Sequence, residues 1–164
     1  MIRKLILVLS LMLTLPAFAW AAGVDILQTP QWGLSRAEII RQFPAAEANG
    51  DDRLDFYVGK GYGGEVTASY FFAADKLMYV RYNIEVFETE EFITPKGYDD
   101  LLAGLQALYG EPVVREVDKA VAGQPQTYVL DWINAEKAVA FQRNGEIGAI
   151  HWMRVEHIDP VFLK

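Results

Sequence analysis

Apolar and polar positions alternate along most of the chain after residue 54, in runs rich in aromatic and β-branched side chains. A period of two marks a strand, whose successive side chains point to opposite faces. It predicts strands over 54–58, 65–73, 76–86, 113–119, 127–133, 137–143 and 146–155. Turn chemistry separates them. Asn144-Gly145 is the strongest hairpin signal, because both residues tolerate the positive φ that a two-residue turn demands. Ala74-Asp75 and Asn134-Ala135 read as further hairpin turns.

Two segments switch to the helical spacing of three and four. In the first, Ser35 is placed to cap free N–H groups while Glu38 reaches back to the Ser35 N–H, a capping box, with Leu34 facing Ile39 as a hydrophobic staple. Ile40 and Phe43 continue the buried stripe until Pro44 stops it, giving a short helix over 36–43. In the second, Thr94 caps and Pro95 takes the first helical position, where its missing N–H costs nothing. Tyr98, Leu101, Leu102, Leu105, Leu108 and Tyr109 then form one apolar face, closed by Gly110 and Pro112.

Consecutive strands with short links pair antiparallel. The expected fold is therefore α+β: an antiparallel sheet of about seven strands with two helices packed on one face. The order helix, three strands, helix, four strands suggests two similar halves, 32–88 and 92–156, each a capped helix followed by a meander. Which strand forms the edge of the sheet is not legible at this level.

The segment Trp32-Gly33-Leu34-Ser35-Arg36-Ala37-Glu38-Ile39-Ile40, followed by Tyr70-Phe71-Phe72 and Lys76-Leu77-Met78-Tyr79-Val80, carries a resemblance. It resembles a family of small envelope domains that includes the small lipoprotein of the outer-membrane barrel-assembly machine and the β-lactamase inhibitory protein. In that family a G-x-S-x-x-E-V helix start precedes a glycine-containing hairpin and a Y-x-F…K-L strand pair. The resemblance implies a sheet-plus-helix fold used for protein binding and transfers no functional residue. The chain departs from it in lacking both a lipidation cysteine and the inhibitor's cysteine pairs.

The N-terminus follows another pattern. Arg3 and Lys4 precede an apolar run from Leu5 to Leu15, and Pro16-Ala17-Phe18-Ala19 follows, which is the layout of a secretory signal peptide over 1–21. The run is about half the roughly 20 residues a bilayer span needs, so removal is expected, not anchoring. A cut after Ala19 or Ala21 satisfies the small-residue rule and leaves a single domain over 22–164, periplasmic or secreted from a bacterium. Losing Arg3 and Lys4 takes the formal charge from −7 to −9. Such acidity repels nucleic acid and anionic membrane and favours solubility. The absence of cysteine excludes disulfides, thiolate metal sites and cysteine nucleophiles, so the domain is held by packing alone.

The candidate chemistry is thin. Gly59-Lys60-Gly61-Tyr62-Gly63-Gly64 looks like a phosphate loop, but a strand follows it where such a loop opens a helix, so a wide, mobile hairpin loop with Tyr62 near its tip is expected. Asn49 to Asp55 fails the calcium-loop pattern at Arg53 and Leu54. The acids from Glu85 to Glu91 complement the start of the second helix. Beyond the leader the only serines are Ser35, a cap, and Ser69, within a strand and outside any G-x-S-x-G elbow. His151 and His157 have no zinc-ligand spacing, and His151 is expected on a strand, partly buried with a hydrogen-bond partner. Asp131, among apolar neighbours, either faces solvent, the cheaper answer, or is buried beside a cation such as Arg143 or Arg154.

Aromatic residues are the best lead. Tyr70, Phe71 and Phe72 alternate on one strand, and Trp132 and Trp152 fall on neighbouring ones, so not every ring fits one core. Rings left on an open sheet face form a protein-binding surface; the alternative is that the N-terminal segment or residues 157–163 cover them. The expected function is non-catalytic binding of another envelope or secreted protein, through Tyr62, Trp132, His151 and Trp152. No metal, cofactor, nucleic acid or stable membrane insertion is expected. A small apolar ligand held between helices and sheet is the second reading, and an acid-residue hydrolase built on Asp131 the third.

Overall fold

A computed structural model describes residues 24–87, 91–116, 126–134 and 136–163. The expected signal peptide, the end of the strand expected over 113–119, part of the acidic run from Glu85 to Glu91 and Ala135 of the third turn lie outside the described residues. In chain order the elements are α1 (Arg36–Gln42), β1 (Glu47–Ala48), β2 (Arg53–Gly61), β3 (Gly64–Ala73), β4 (Lys76–Glu85), α2 (Pro95–Tyr109), β5 (Val113–Glu116), β6 (Thr127–Ile133), β7 (Ala138–Asn144) and β8 (Trp152–Ile158). A 3-10 turn, Pro160–Leu163, follows. All strands join one antiparallel sheet in the order β1-β2-β3-β4-β8-β7-β6-β5.

The sheet has eight strands, not about seven. The added strand is β1, two residues that pair Glu47 with Asp55 and Ala48 with Leu54, too short to show a period. With β1 counted, a helix followed by a four-strand meander occurs twice, and the second meander lies beside the first in reversed order. The two join along β4 and β8, from Tyr79↔Ile158 to Glu85↔Trp152.

Both helices start as their residues dictate. The Ser35 hydroxyl accepts from the Glu38 N–H at 3.3 Å and the Glu38 carboxylate accepts from the Ser35 N–H at 2.7 Å. That bond holds the Glu38 carboxyl below its usual range. Thr94 Oγ1 accepts from the Gly97 N–H at 3.1 Å, and Gly110, at φ 85°, ends α2. Ile40, expected in the buried stripe of α1, is exposed, because a seven-residue helix offers the core little more than Ile39 and the flanking Phe43.

The turns divide. Ala74 and Asp75, at φ 48° and 59°, form the expected hairpin turn. Tyr62 and Gly63, at φ 53° and 84°, do the same, so the glycine cluster is a tight two-residue turn and not a wide loop. Gly59 serves a bulge in β2, at φ 146°. Asn144-Gly145 is not a two-residue hairpin turn. Asn144 ends β7 and pairs with Trp152, so the last strand covers 152–158 where 146–155 was expected. Residues 145–151 form a longer loop that tucks Ile150 in: it is fully buried, and its carbonyl accepts from the Ile93 N–H at 2.9 Å, while Glu146, Ile147, Gly148 and His151 stay exposed. Burial of Ile150 outweighs a local turn preference.

Register sorts the side chains into two faces. On the inner face, one row runs Leu54, Tyr70, Val80, His157, Val139, Trp132, and the next Phe56, Ala68, Tyr82, Val155, Phe141, Leu130. Phe43 stacks on Phe56 at 4.7 Å between ring centres. Tyr98 of α2 lies 5.9 Å from Phe141, and Tyr109 lies 6.3 Å from both Trp132 and His157. Leu101 and Leu105 are fully buried in the same cluster, which the segment before α1 joins through Ile26.

His157 sits at the centre of this core with no exposed surface. Its Nε2–H donates to the Ile26 carbonyl at 2.9 Å; a carbonyl only accepts, so the neutral ring carries its proton on Nε2. Tyr82 and Tyr109 pack edge or tilted against the ring, and among the described residues Asp25 is the acid whose charge reaches it. Burial pushes the imidazole below its usual value of 6.5, against the smaller opposing pull of the Ile26 carbonyl and Asp25. The unfolded chain then takes up the proton first as pH falls. Stability contributed by the neutral ring should be full above pH about 6.5 and drain away below it, levelling off once pH passes the folded-state value. Urea denaturation from pH 8 to pH 5 checks this, and a His157→Phe chain should show a flatter slope over that window.

Candidate functional site

The outer face is a polar and aromatic lattice. Its rows read Arg53, Phe71, Tyr79, Ile158, then Asp55, Ser69, Arg81, Glu156, Ala140, Asp131, then Tyr57, Thr67, Asn83, Arg154, Gln142, Val129. A fourth row carries Lys60, Glu65, Glu85 and Trp152. Alternation forces this content outward once Tyr70, Val80, Tyr82 and Val155 are committed to the core.

Arginine and aromatic side chains interleave across it. The Arg81 guanidinium lies 5.6 Å from the Phe71 ring centre and 5.4 Å from that of Tyr79. Arg53 lies 5.8 Å from Phe71 on the other side, and Arg154 lies 4.9 Å from Trp152. Cations over ring faces are held by the ring quadrupole as well as by their ion pairs.

Glu156 ties the lattice together. It accepts from the Tyr79 hydroxyl at 2.5 Å, from Arg81 Nε at 3.1 Å and from Gln142 Nε2 at 3.3 Å, with Arg154 Nη1 4.0 Å away. Arg81 Nε also donates to the Tyr79 oxygen at 2.9 Å, Arg154 Nε to Asn83 Oδ1 at 2.9 Å, and Arg53 pairs with Asp55 at 2.9 Å. Burial, and then the bond to Glu156, pushes the Tyr79 hydroxyl well above its usual range, so it stays a donor at any physiological pH. Side chains so tied lose little freedom when a partner lands on them.

The four residues singled out from the sequence do not come together. Trp152 is on the outer face, half-buried under Arg154. Trp132 is not available for contact: it is 4% exposed on the inner face, and its indole N–H donates to the Gly110 carbonyl at 2.7 Å. Tyr62 lies in the β2–β3 turn packed against the core, and burial lifts its hydroxyl above the usual range. His151 is off the strand and exposed, its ring edge-on to Phe92 at 5.1 Å; the fully buried histidine is His157.

Asp131 is buried at 5% exposure instead of facing solvent. It lies on the opposite face from Leu130 and Trp132, as alternation requires, and Arg143 points to the inner side across from Tyr128. The aspartate-rich turn before β2 is held by Arg36, which donates to the Asp51 carbonyl at 2.8 Å and the Gly50 carbonyl at 3.1 Å. Sequence reasoning assigned no partner-binding role to Arg53, Tyr79, Arg81, Arg154 or Glu156. Their signal was their parity with Phe71 and Trp152, which becomes readable only once the register between strands is known.

Among the described residues no three His, Asp or Glu side chains are grouped to hold a metal, and no helix is long and apolar enough to cross a membrane. Comparison of the chain with protein-family models, with curated proteins and with solved structures gave no match.

Proposed function

We propose that the domain is an exported, non-catalytic binding protein that receives another envelope or secreted protein on the outer face of its sheet. The observation that carries the reading is the arginine and aromatic lattice centred on Glu156. In this reading both helices pack on the inner face, and the β2–β3–β4–β8 part of the outer face receives the partner. Tryptophan, tyrosine and arginine dominate binding hot spots because they offer large area, a polar handle and little entropy to lose. This face carries Arg53, Arg81, Arg154 and Lys60 interleaved with Asp55, Glu65, Glu85, Asp131 and Glu156, so charges of both signs surround its rings. The fitting partner is a protein surface with apolar contacts among charged groups of both signs.

The test is co-purification of the tagged full-length chain from envelope and culture fractions of its host, at low and high salt. One stoichiometric partner should survive high salt. Trp152→Ala with Arg154→Ala, or Phe71→Ala alone, should weaken capture by about 2 kcal/mol or more, roughly thirtyfold, while the fold stays intact by circular dichroism. Undiminished capture by folded variants, or no partner in either fraction, defeats the proposal. Export is checked on the same material: the recovered chain should begin at Trp20 or Ala22.

A further inference from the structure

A second feature lies on the inner side, between α2 and the β5–β6 edge, away from the arginine lattice. It is a cavity of about 210 Å³ walled by Tyr98, Val114, Leu130 and Phe141, with Tyr128, Val129 and Arg143 completing it. Arg143 is 7% exposed. It stands in the row of Tyr128 and Met153, where alternation and the core leave room for an apolar side chain.

The surroundings of that buried cation are unusual. Its guanidinium lies 3.7 Å from the Tyr128 ring centre and 5.4 Å from that of Tyr98, and Nη1 donates to the Gly145 carbonyl. Among the described residues no carboxylate comes within ion-pair distance of it. Glu146 is bonded to the Tyr128 hydroxyl at 2.5 Å instead. A guanidinium has five N–H donors in a planar fork that matches a carboxylate, and among the described residues this buried cation meets two rings and a carbonyl but no carboxylate. A pocket that is apolar on its walls and cationic on its floor selects a ligand with the converse layout.

We propose that this pocket binds a small monocarboxylate bearing an aromatic ring or short apolar chain, its carboxylate on Arg143 and its apolar part among Tyr98, Leu130 and Phe141. The volume suits a molecule the size of phenylacetate and excludes a long acyl chain. The site is independent of the outer face and stands or falls without it.

The probes are phenylacetate, its neutral isostere phenylacetamide, and acetate as the head group alone, titrated into the full chain by calorimetry and amide chemical-shift mapping. Phenylacetate should bind at least about tenfold tighter than either of the others, because only it makes the charge-assisted bonds and fills the walls. Shifts should centre on residues 98, 114, 128–130 and 141–143. Val114 is 72% exposed at the rim, so Val114→Trp should fold normally and weaken phenylacetate about tenfold or more by filling the mouth. Arg143→Lys keeps the charge but loses the planar fork, and should narrow the gap between phenylacetate and phenylacetamide. Absence of saturable binding up to roughly 10 mM, the range of the weakest specific affinities, overturns the proposal. So does an amide that binds as well as the acid, or binding indifferent to Val114→Trp.

Discussion

Trp132→Ala should lower the unfolding free energy by about 3–5 kcal/mol, the cost of deleting a large buried aromatic side chain and leaving its cavity. The ring is 4% exposed, lies beside Tyr109 of α2, and anchors the helix end through its N–H bond to the Gly110 carbonyl. Removing it empties the core and also orphans a carbonyl. Trp152→Ala is the matched control. Trp152 is half-buried on the outer face under Arg154, so the expected cost is about 1 kcal/mol or less. Urea denaturation of both chains measures the difference as a shift in midpoint. Equal losses would place both rings in one core and remove the outer face from consideration as a binding surface.

Gly97→Ala should destabilise by about 1–3 kcal/mol, although alanine is the better helix former by roughly 1 kcal/mol. Gly97 is in the first turn of α2, where a Cβ would stand 2.1 Å from the Tyr62 carbonyl oxygen and 2.6 Å from its carbon. These are backbone atoms of a tight turn with two residues at positive φ, so neither side yields without moving the helix or the hairpin. Gly104→Ala separates sterics from propensity. Its Cβ would meet Leu27 Cδ1 at 2.7 Å, the end of a flexible side chain that can turn aside. A midpoint lowered at 97 and little changed at 104 is the expected pattern; a gain at both would mean that α2 does not rest on the β2–β3 turn.

The elements were legible where local chemistry and global packing agree. The capping box at Ser35 and Glu38, the Thr94-Pro95 start and the Ala74-Asp75 turn all follow from nearest neighbours, and all are present. Legibility failed where a distant contact wins. Asn144-Gly145 has the residues of a tight turn, yet Ile150 is pulled to Ile93, 57 positions away by number, and the strand start moves with it. β1 was missed because two residues carry no period. The site suffered from the same cause: an aromatic residue in a strand belongs to the core or the surface according to its parity, and Trp132 and Trp152 fall on opposite faces. His157 gave no warning either, since nothing local says that Ile26, 131 positions earlier, supplies its partner.

The seam between β4 and β8 is the geometry of a dimer written into one chain. Each side contributes the last strand of a four-strand meander, the pairing is antiparallel, and the strand order reads the same outward in both directions. An antiparallel ladder of that kind has an approximate two-fold axis, and a two-fold axis is what two identical copies need in order to meet. A fragment ending after β4 would bare the Tyr79–Glu85 edge that β8 normally occupies, with Val80, Tyr82 and Ile84 in register for a second β4. Truncation between the halves thus has a direct consequence: it hands each fragment a ready template for pairing with itself, and linking the halves in one chain is what keeps that edge closed.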